Sequence, residues 1–289
     1  MKYLSIAIFA LLCTVTTQAS AQDGVNELIH IHGDLYRIRY NNHFGALLDT
    51  PDGIVVVDTI NNQTGKWLKG EIEERFGKPV RYLIYSHHHP DHISGAGYFS
   101  DTAIIVAHEN AVAAIKIENV KEENIEKGYV VPLPDLTFSQ DLEINLGGKN
   151  IILRHLGTAH TDNLVSVHFP SEKAVIMIDA GMIRRVAYKT FRVTNVRKLV
   201  KVLEEVDKYD NFEVALTGHG PVGTREELAI YGKYIGTLRS EVLAAHSAGK
   251  SLDEIKKIVK LEEFSYLDNY DEFFLTNLES AYDQVINNW

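Results

Sequence analysis

Short apolar runs, each closed by a turn residue, recur along this chain in two successive series, and helical spacing follows each series. In the first, Leu28–His32 and Leu35–Tyr40 flank Gly33-Asp34, while Phe44–Leu48 and Ile54–Val57 flank Pro51-Asp52-Gly53. Both pairs read as hairpins. Thr64–Phe76 has helical spacing and stops before Gly77; Arg81–Tyr85 and Ile104–Ala107 read as strands and Asn110–Ile117 as a helix. The second series runs through Leu136–Phe138, Leu142–Leu146, Ile151–His155, Val165–His168 and Ala174–Ile178, then a helix at Asn195–Asp207 and a strand at Glu213–Thr217. From Arg225 onward the chain reads as helical, in about three pieces. Two blocks of strands plus helix predict an α/β sandwich with sheets inside and helices outside. No Pro-, Gly- or Ser-rich linker divides residues 22–289, so they read as one domain with a helical C-terminal extension over about 225–289.

Residues 1–21 are set aside from that fold. Lys2 precedes a nearly continuous apolar stretch, Leu4 to Val15, and Ala19-Ser20-Ala21 supplies a small-x-small cleavage site. The pattern is that of a secretory signal peptide cut after Ala21, which places the mature protein in the periplasm or outside the cell. A retained anchor is the competing reading, but the apolar run is short for a membrane span. Leu12 stands before Cys13, where lipid-attachment sites usually have a small residue. Cys13 is the chain's single cysteine, so the mature protein has no disulfide, cysteine nucleophile or thiolate metal ligand.

The formal charge of −10 repels phosphate backbones and argues against nucleic acid as a partner. Hydrophobic residues at 45% and charged residues at 24% are ordinary for a folded soluble chain, which leaves the chemistry to specific side chains.

Those side chains begin at Ser86-His87-His88-His89-Pro90-Asp91-His92, directly after the strand Arg81–Tyr85. His87 and His89 are two apart and point the same way in extended chain, which suits two imidazoles on one metal. Pro90 stiffens the turn, so that Asp91 and His92 face a second metal nearby. Further candidates sit after other predicted strands: His160 in Gly157-Thr158-Ala159-His160-Thr161, Asp179 after Ala174–Ile178, and His219 between Gly218 and Gly220. In layered α/β proteins such strand ends commonly converge on one site. Imidazole and carboxylate without thiolate suit Zn²⁺; manganese or iron would also fit. His88 occupies a variable slot and reads as facing away. His155 and His168 read as core or edge residues, and His30, His32, His108 and His246 as structural or exposed. His43, in Asn41-Asn42-His43, reads either as a pocket edge or as a plain turn residue. Arg184, Arg185 and Tyr188 are read either as contacts to an anionic substrate or as a solvated basic turn.

The order His-x-His-x-Asp-His, Gly-x-x-His, Asp after a strand and Gly-His-Gly resembles the metallo-β-lactamase superfamily, from about Leu35 to Gly223. The resemblance implies an αβ/βα four-layer sandwich with the metals at one edge of the sheets. It implies that His87, His89 and His160 hold a first zinc, that Asp91, His92 and His219 hold a second, and that Asp179 bridges both. Asp58 matches a position that supports such a site from behind.

The chemistry implied is hydrolysis. Two zinc ions share a hydroxide available near neutral pH, which attacks the carbonyl of an ester, lactone, thioester or β-lactam. Asp91 accepts the proton from the attacking water. The resemblance divides on substrate. Members that cleave β-lactams usually have Cys or Ser where Asp179 stands, whereas thioesterase, lactonase and sulfatase-like members generally keep the Asp; export pulls toward the lactamases. His89 stands where di-iron redox members have Glu, which argues against redox chemistry. A phosphodiester or sulfate ester hydrolase, and a non-catalytic periplasmic metal-binding or assembly factor, are the alternatives. The expected partner is a small molecule with a hydrolysable acyl bond, with no stable membrane anchor; the oligomeric state is not readable. Tyr266, Tyr270, Phe273, Phe274 and Tyr282 are read as packing the C-terminal helices onto the sandwich, with a lid over the pocket or a dimer face as the competing readings.

Overall fold

The computed structural model describes residues 24–287 apart from 192 and 210; the leader reading for 1–21 lies outside them. The first series of runs forms a seven-stranded sheet whose spatial order follows the chain. Its strands are β1 (Asn26–His32), β2 (Leu35–Tyr40), β3 (His43–Thr50), β4 (Gly53–Val57), β5 (Val80–Ile84), β6 (Ile104–His108) and β7 (Leu136–Phe138). Pairing is antiparallel from β1 to β4 and parallel from β4 to β7. Parallel strands need crossovers, and helices α1 (Asn62–Phe76), α2 (Pro90–Ile93), α3 (Ala111–Asn119) and α4 (Glu122–Glu126) lie within them.

The second series forms a six-stranded sheet: β8 (Asp141–Leu146), β9 (Lys149–His155), β10 (Val165–Phe169), β11 (Ala174–Met177), β12 (Val214–Thr217) and β13 (Gly223–Thr224). Only β11 and β12 run parallel, and α5 (Val196–Tyr209) is their crossover helix. The remaining helices are α6 (Arg225–Ser247), α7 (Leu252–Ile258) and α8 (Tyr270–Ile286).

Layering follows from the two-residue period of the strands. In β4, Ile54 and Val56 face one way and pack with Leu68 and Ile72 of α1; Val55 and Val57 face the other way. There they meet Leu153, Val167, Ile176 and Leu216 of the second sheet. The outer face of that sheet, with Val175, Met177 and Ala215, is covered by Leu199 and Leu203 of α5, Tyr234 and Leu238 of α6, and Phe274 and Leu278 of α8. A strand buried on both faces must be apolar throughout, which is why β4 and β11 read as unbroken apolar runs. The expected αβ/βα sandwich is therefore the architecture observed.

Caps fix the helix ends. Asn61 accepts from the Thr64 amide, and Gly77 ends α1 in the left-handed region at φ 57°; an N-cap of this kind contributes about 1 kcal/mol. Thr224 and Ser251 head capping boxes with Glu227 and Glu254, and these begin α6 and α7. The helical reading from Arg225 thus resolves into α6, α7 and α8. The sequence reading missed α2 and α4, which are too short to show a period. It also took Tyr266 for a packing residue, whereas Tyr266 is exposed; Phe273 and Phe274 are buried as expected.

Candidate metal centre

Strand ends from both sheets meet at one edge. The first sheet supplies Asp58 after β4 and residues 86–92 after β5; the second supplies the His160 loop after β9, Asp179 after β11 and the His219 loop after β12. Backbone bonds lock the two sheets together here: Val165 N donates to Ser86 O at 2.8 Å, and Phe44 N to Gly218 O at 3.0 Å.

His87, His89, His160 and Asp179 form one group able to hold a metal ion; His92, Asp179 and His219 form a second. Asp91 joins His219 and His43 in a third. All seven predicted site residues thus converge. Asp179 stands between the groups. Its Oδ2 lies 3.3 Å from His92 Nε2, 3.5 Å from His160 Nε2 and 3.7 Å from His87 Nε2; its Oδ1 lies 3.3 Å from His219 Nε2.

Hydrogen bonds set which ring nitrogen each histidine offers. Ser86 Oγ has one proton, donated to Asp58 Oδ2 at 2.6 Å, so it accepts from His87 Nδ1 at 3.0 Å and leaves the His87 Nε2 lone pair free. His219 Nδ1 faces the Asn42 carbonyl at 2.8 Å and must donate to it, which frees Nε2 toward Asp179. His160 Nδ1 is engaged by Thr194 Oγ1 at 3.0 Å, and its Nε2 lies 3.3 Å from His89 Nδ1.

Burial and neighbouring charge then set protonation. Burial, reinforced by His92, holds His87 well below the usual imidazole range. Burial, reinforced by His160, brings His89 down to about 4, and burial also lowers His160 and His219. These rings are neutral ligand donors at pH 7. His92 goes the other way: burial opposes its charge, but Asp179, Asp91 and Asp58 prevail and raise it to about 9. Burial works against ionised Asp179 as well, yet His92, His87 and His219 keep it well below the carboxylate range. For Asp91, burial is outweighed by His43 and His92, which bring it to about 2.

The donor set fits a metal. Among the described residues, the buried atoms His87 Nε2, both nitrogens of His92 and Asp179 Oδ1 have no hydrogen-bond partner. Buried polar atoms are normally paired, and buried imidazole nitrogens left without partners around ionised carboxylates are what a cation satisfies. Gly218 keeps the space open: a Cβ there would lie 2.7 Å from Asp179 Oδ1 and 3.1 Å from His92 Cε1.

The backbone behind the site is strained. Asp58, Ile60 and Asp179 have φ of 58°, 64° and 55°. Left-handed geometry is tolerable for Asp but costly for β-branched Ile, on the order of 1–3 kcal/mol. The turn is held because Thr59 N and Ile60 N both donate to His92 O, at 2.9 and 2.6 Å, and so fix the His92 backbone.

A cavity of about 400 Å³ opens beside the second group, lined by Asn42, His43, Asp91, Met182, Arg185, Tyr188 and His219. His43 therefore is a pocket edge, 3.6 Å from Asp91 Oδ2 and ring to ring with His219. Arg185 and Tyr188 face the pocket, whereas Arg184 turns away to Val222 O and Glu227. His88 stays out of the metal groups: its amide donates to Asn163 Oδ1 at 3.0 Å. His155 stacks on His108 at 3.7 Å, and His168 is buried beside Ser166. Sequence reasoning missed Ser86, Asn163 and Thr194, which orient the ligand loops, and Arg37, whose Nη2 donates to Thr217 O and Gly220 O on either side of His219.

Fold and site define a class: a four-layer α/β sandwich with a histidine–carboxylate cradle able to hold metal at one sheet edge. Residues 42–263 match the sequence profile of the metallo-beta-lactamase superfamily, and the chain belongs to that superfamily of metal-dependent hydrolases. Metallo-beta-lactamase type 2 of Bacillus cereus is 28% identical over 191 residues, 63% of this chain and 68% of that protein. A linear primary-alkylsulfatase of Pseudomonas sp. (strain ATCC 19151) is 23% identical over 262 residues, 74% of this chain. The sec-alkylsulfatase Pisa1 from Pseudomonas sp. superposes with a TM-score of 0.74 over 92% of this chain, at 17% identity. The chain spans about half the length of each of these two sulfatases.

Proposed function

We propose that this protein is an exported dinuclear zinc hydrolase of small acyl substrates. The observation that carries the reading is the convergence of His87, His89, His160, His92 and His219 on the buried Asp179 carboxylate, with several of their atoms unpartnered. In this reading His87, His89 and His160 would hold one zinc, Asp91, His92 and His219 would hold the other, and Asp179 would serve both. Bound zinc would supply Lewis acidity, lowering the pKa of water toward neutrality and polarising a carbonyl oxygen.

The chain's own residues do the rest. The Asp58–Ser86–His87 relay fixes one ring, and Asn42 fixes another. Asp91 is half-exposed at the pocket mouth and stays ionised, so it accepts the hydrogen of the attacking water. A carboxylate held at about 2 is a poor store for a proton, so Asp91 orients the water and relays its proton to the departing alkoxide or thiolate, which leaves as alcohol or thiol. The cavity volume of about 400 Å³ suits a small molecule.

Asp179 favours ester, lactone or thioester cleavage over β-lactam cleavage, because the resemblance associates Cys or Ser at this place with lactamases. The alkylsulfatase relative supports sulfate ester hydrolysis as the second reading. A binding or assembly factor would hold zinc without turnover. Export, with cleavage after Ala21, predicts a mature N-terminus at Gln22, readable by N-terminal sequencing. The reading as a whole is tested by His87→Ala and Asp91→Ala, each expected to lose zinc and hydrolysis together; full activity in either variant sinks the site assignment.

A further inference from the structure

Arg37 is a buried cation whose hydrogen-bond partners among the described residues are all neutral. It is 4% exposed, lies 3.5 Å over the Phe44 ring, and donates from Nη2 to Thr217 O at 2.9 Å and Gly220 O at 2.7 Å. Its Nε is buried without an acceptor. Burial and the Arg39 charge press its pKa down to about 9, the sign of a charge left uncompensated.

On the other side of Gly220 stands Arg185. A Cβ built on Gly220 would lie 3.6 Å from Arg185 Cδ, so the two arginines flank one residue. Arg185 Nε is likewise buried without an acceptor, and its guanidinium has no ion pair among the described residues. Arg39, the third arginine here, is engaged by Glu27 and Asn41 O. All three line a cavity of about 530 Å³ with Asn42, Asp268 and Asn269. Asp268 is the one carboxylate of that lining; it is bridged to Arg185 through the backbone, and no side-chain ion pair joins it to the arginines among the described residues. Asn42 and Arg185 also line the cavity beside His43, Asp91 and His219, so the two spaces share a wall.

We propose that the Arg37–Arg185 cavity is an oxyanion subsite that receives the carboxylate or sulfate end of the substrate, while the scissile bond lies beside Asp91 and His219. The inference rests on the hydrolase reading and narrows it to acid-terminated acyl compounds. Guanidinium groups suit this task because their planar N–H fork matches a carboxylate or sulfate edge. An anion there would balance the two guanidinium charges that line the cavity and stiffen the Gly218–Gly220 loop that Arg37 already braces.

The test uses the zinc-loaded protein and two para-nitrophenyl esters of equal chain length, the glutarate (acid-terminated) and the valerate (methyl-terminated). Wild type should favour the glutarate by about tenfold or more in kcat/KM, mostly through KM. Arg185→Met should bring the ratio near one, and Arg185→Lys should restore part of it. Inorganic sulfate should raise the Tm of wild type but not of Arg185→Met, with matching circular dichroism for both. Turnover of both esters at equal rates with no sulfate effect overturns the subsite and leaves the hydrolase reading standing. Equal rates with Arg185-dependent sulfate protection overturn the substrate assignment, since the cavity then takes a free anion. No turnover of either ester, with Arg185-dependent protection, overturns the acyl reading while the anion site itself stands.

Discussion

His92 Nε2 lies 3.3 Å from Asp179 Oδ2, and His92 has no exposure to solvent. Without metal the pair is an imidazolium facing a carboxylate; a metal takes the place of the proton.

A pH dependence follows. His92 is raised from 6.5 to about 9, so its contribution to stability is full below 6.5 and is lost as pH rises through 9. His89 is lowered from 6.5 to about 4, and His87, His160 and His219 are lowered too; their contribution is present above 6.5 and is lost as pH falls toward 4. Asp58, raised to about 6, opposes these four in part. The chelated protein should therefore melt highest near pH 6.5, and zinc uptake at pH 7 should release about one proton from His92 in addition to any released by zinc-bound water, so at least one per chain. Thermal melts across pH and proton counting in weak buffer check both; uptake with no proton released contradicts the His92 assignment.

Gly218→Ala should empty the cradle and leave the fold in place. The new Cβ meets Asp179 Oδ1 at 2.7 Å and Ile178 Cγ2 at 2.9 Å, so it occupies space between ligands. Elemental analysis should show less than one zinc per chain, with the circular dichroism of the wild type. Normal zinc content would mean that the loop has room to shift.

Asp58→Asn tests support from behind the ligands. Asn keeps the shape and tolerates φ 58°, but loses the charge facing His92 Nδ1 at 3.7 Å and the strong acceptor for Ser86. Zinc affinity should fall by roughly 10- to 100-fold. Competition with a chromophoric chelator measures it, and an unchanged affinity would show that Asp58 only shapes the turn.

The ligands were legible in the sequence because their residue types are rare together and each follows an apolar strand. His87 to His92 are consecutive, and the loops of His160, Asp179 and His219 are marked by glycine or a strand end. What supports them was not legible. Arg37 braces the His219 loop from 180 residues away, and no local pattern announces such a contact. Asn163 and Ser86 are ordinary turn residues until β5, β9 and β10 come together. The left-handed turn at Ile60 contradicts local preference and exists because two amides converge on the His92 carbonyl. Tyr266 misled because aromatic spacing marks a packing face without saying which ring meets it.

The most direct test of the central claim is the initial rate of hydrolysis by the zinc-loaded mature protein on a mixed panel, with and without chelator. The panel holds an acyl-homoserine lactone, a glutathione thioester, an aryl ester, a chromogenic cephalosporin, an aryl phosphodiester and an aryl sulfate. The prediction is chelator-sensitive turnover that favours one of the first three. Preference for the cephalosporin or the sulfate would overturn the substrate reading, and zinc bound without turnover on any of them would contradict the assignment as an acyl hydrolase.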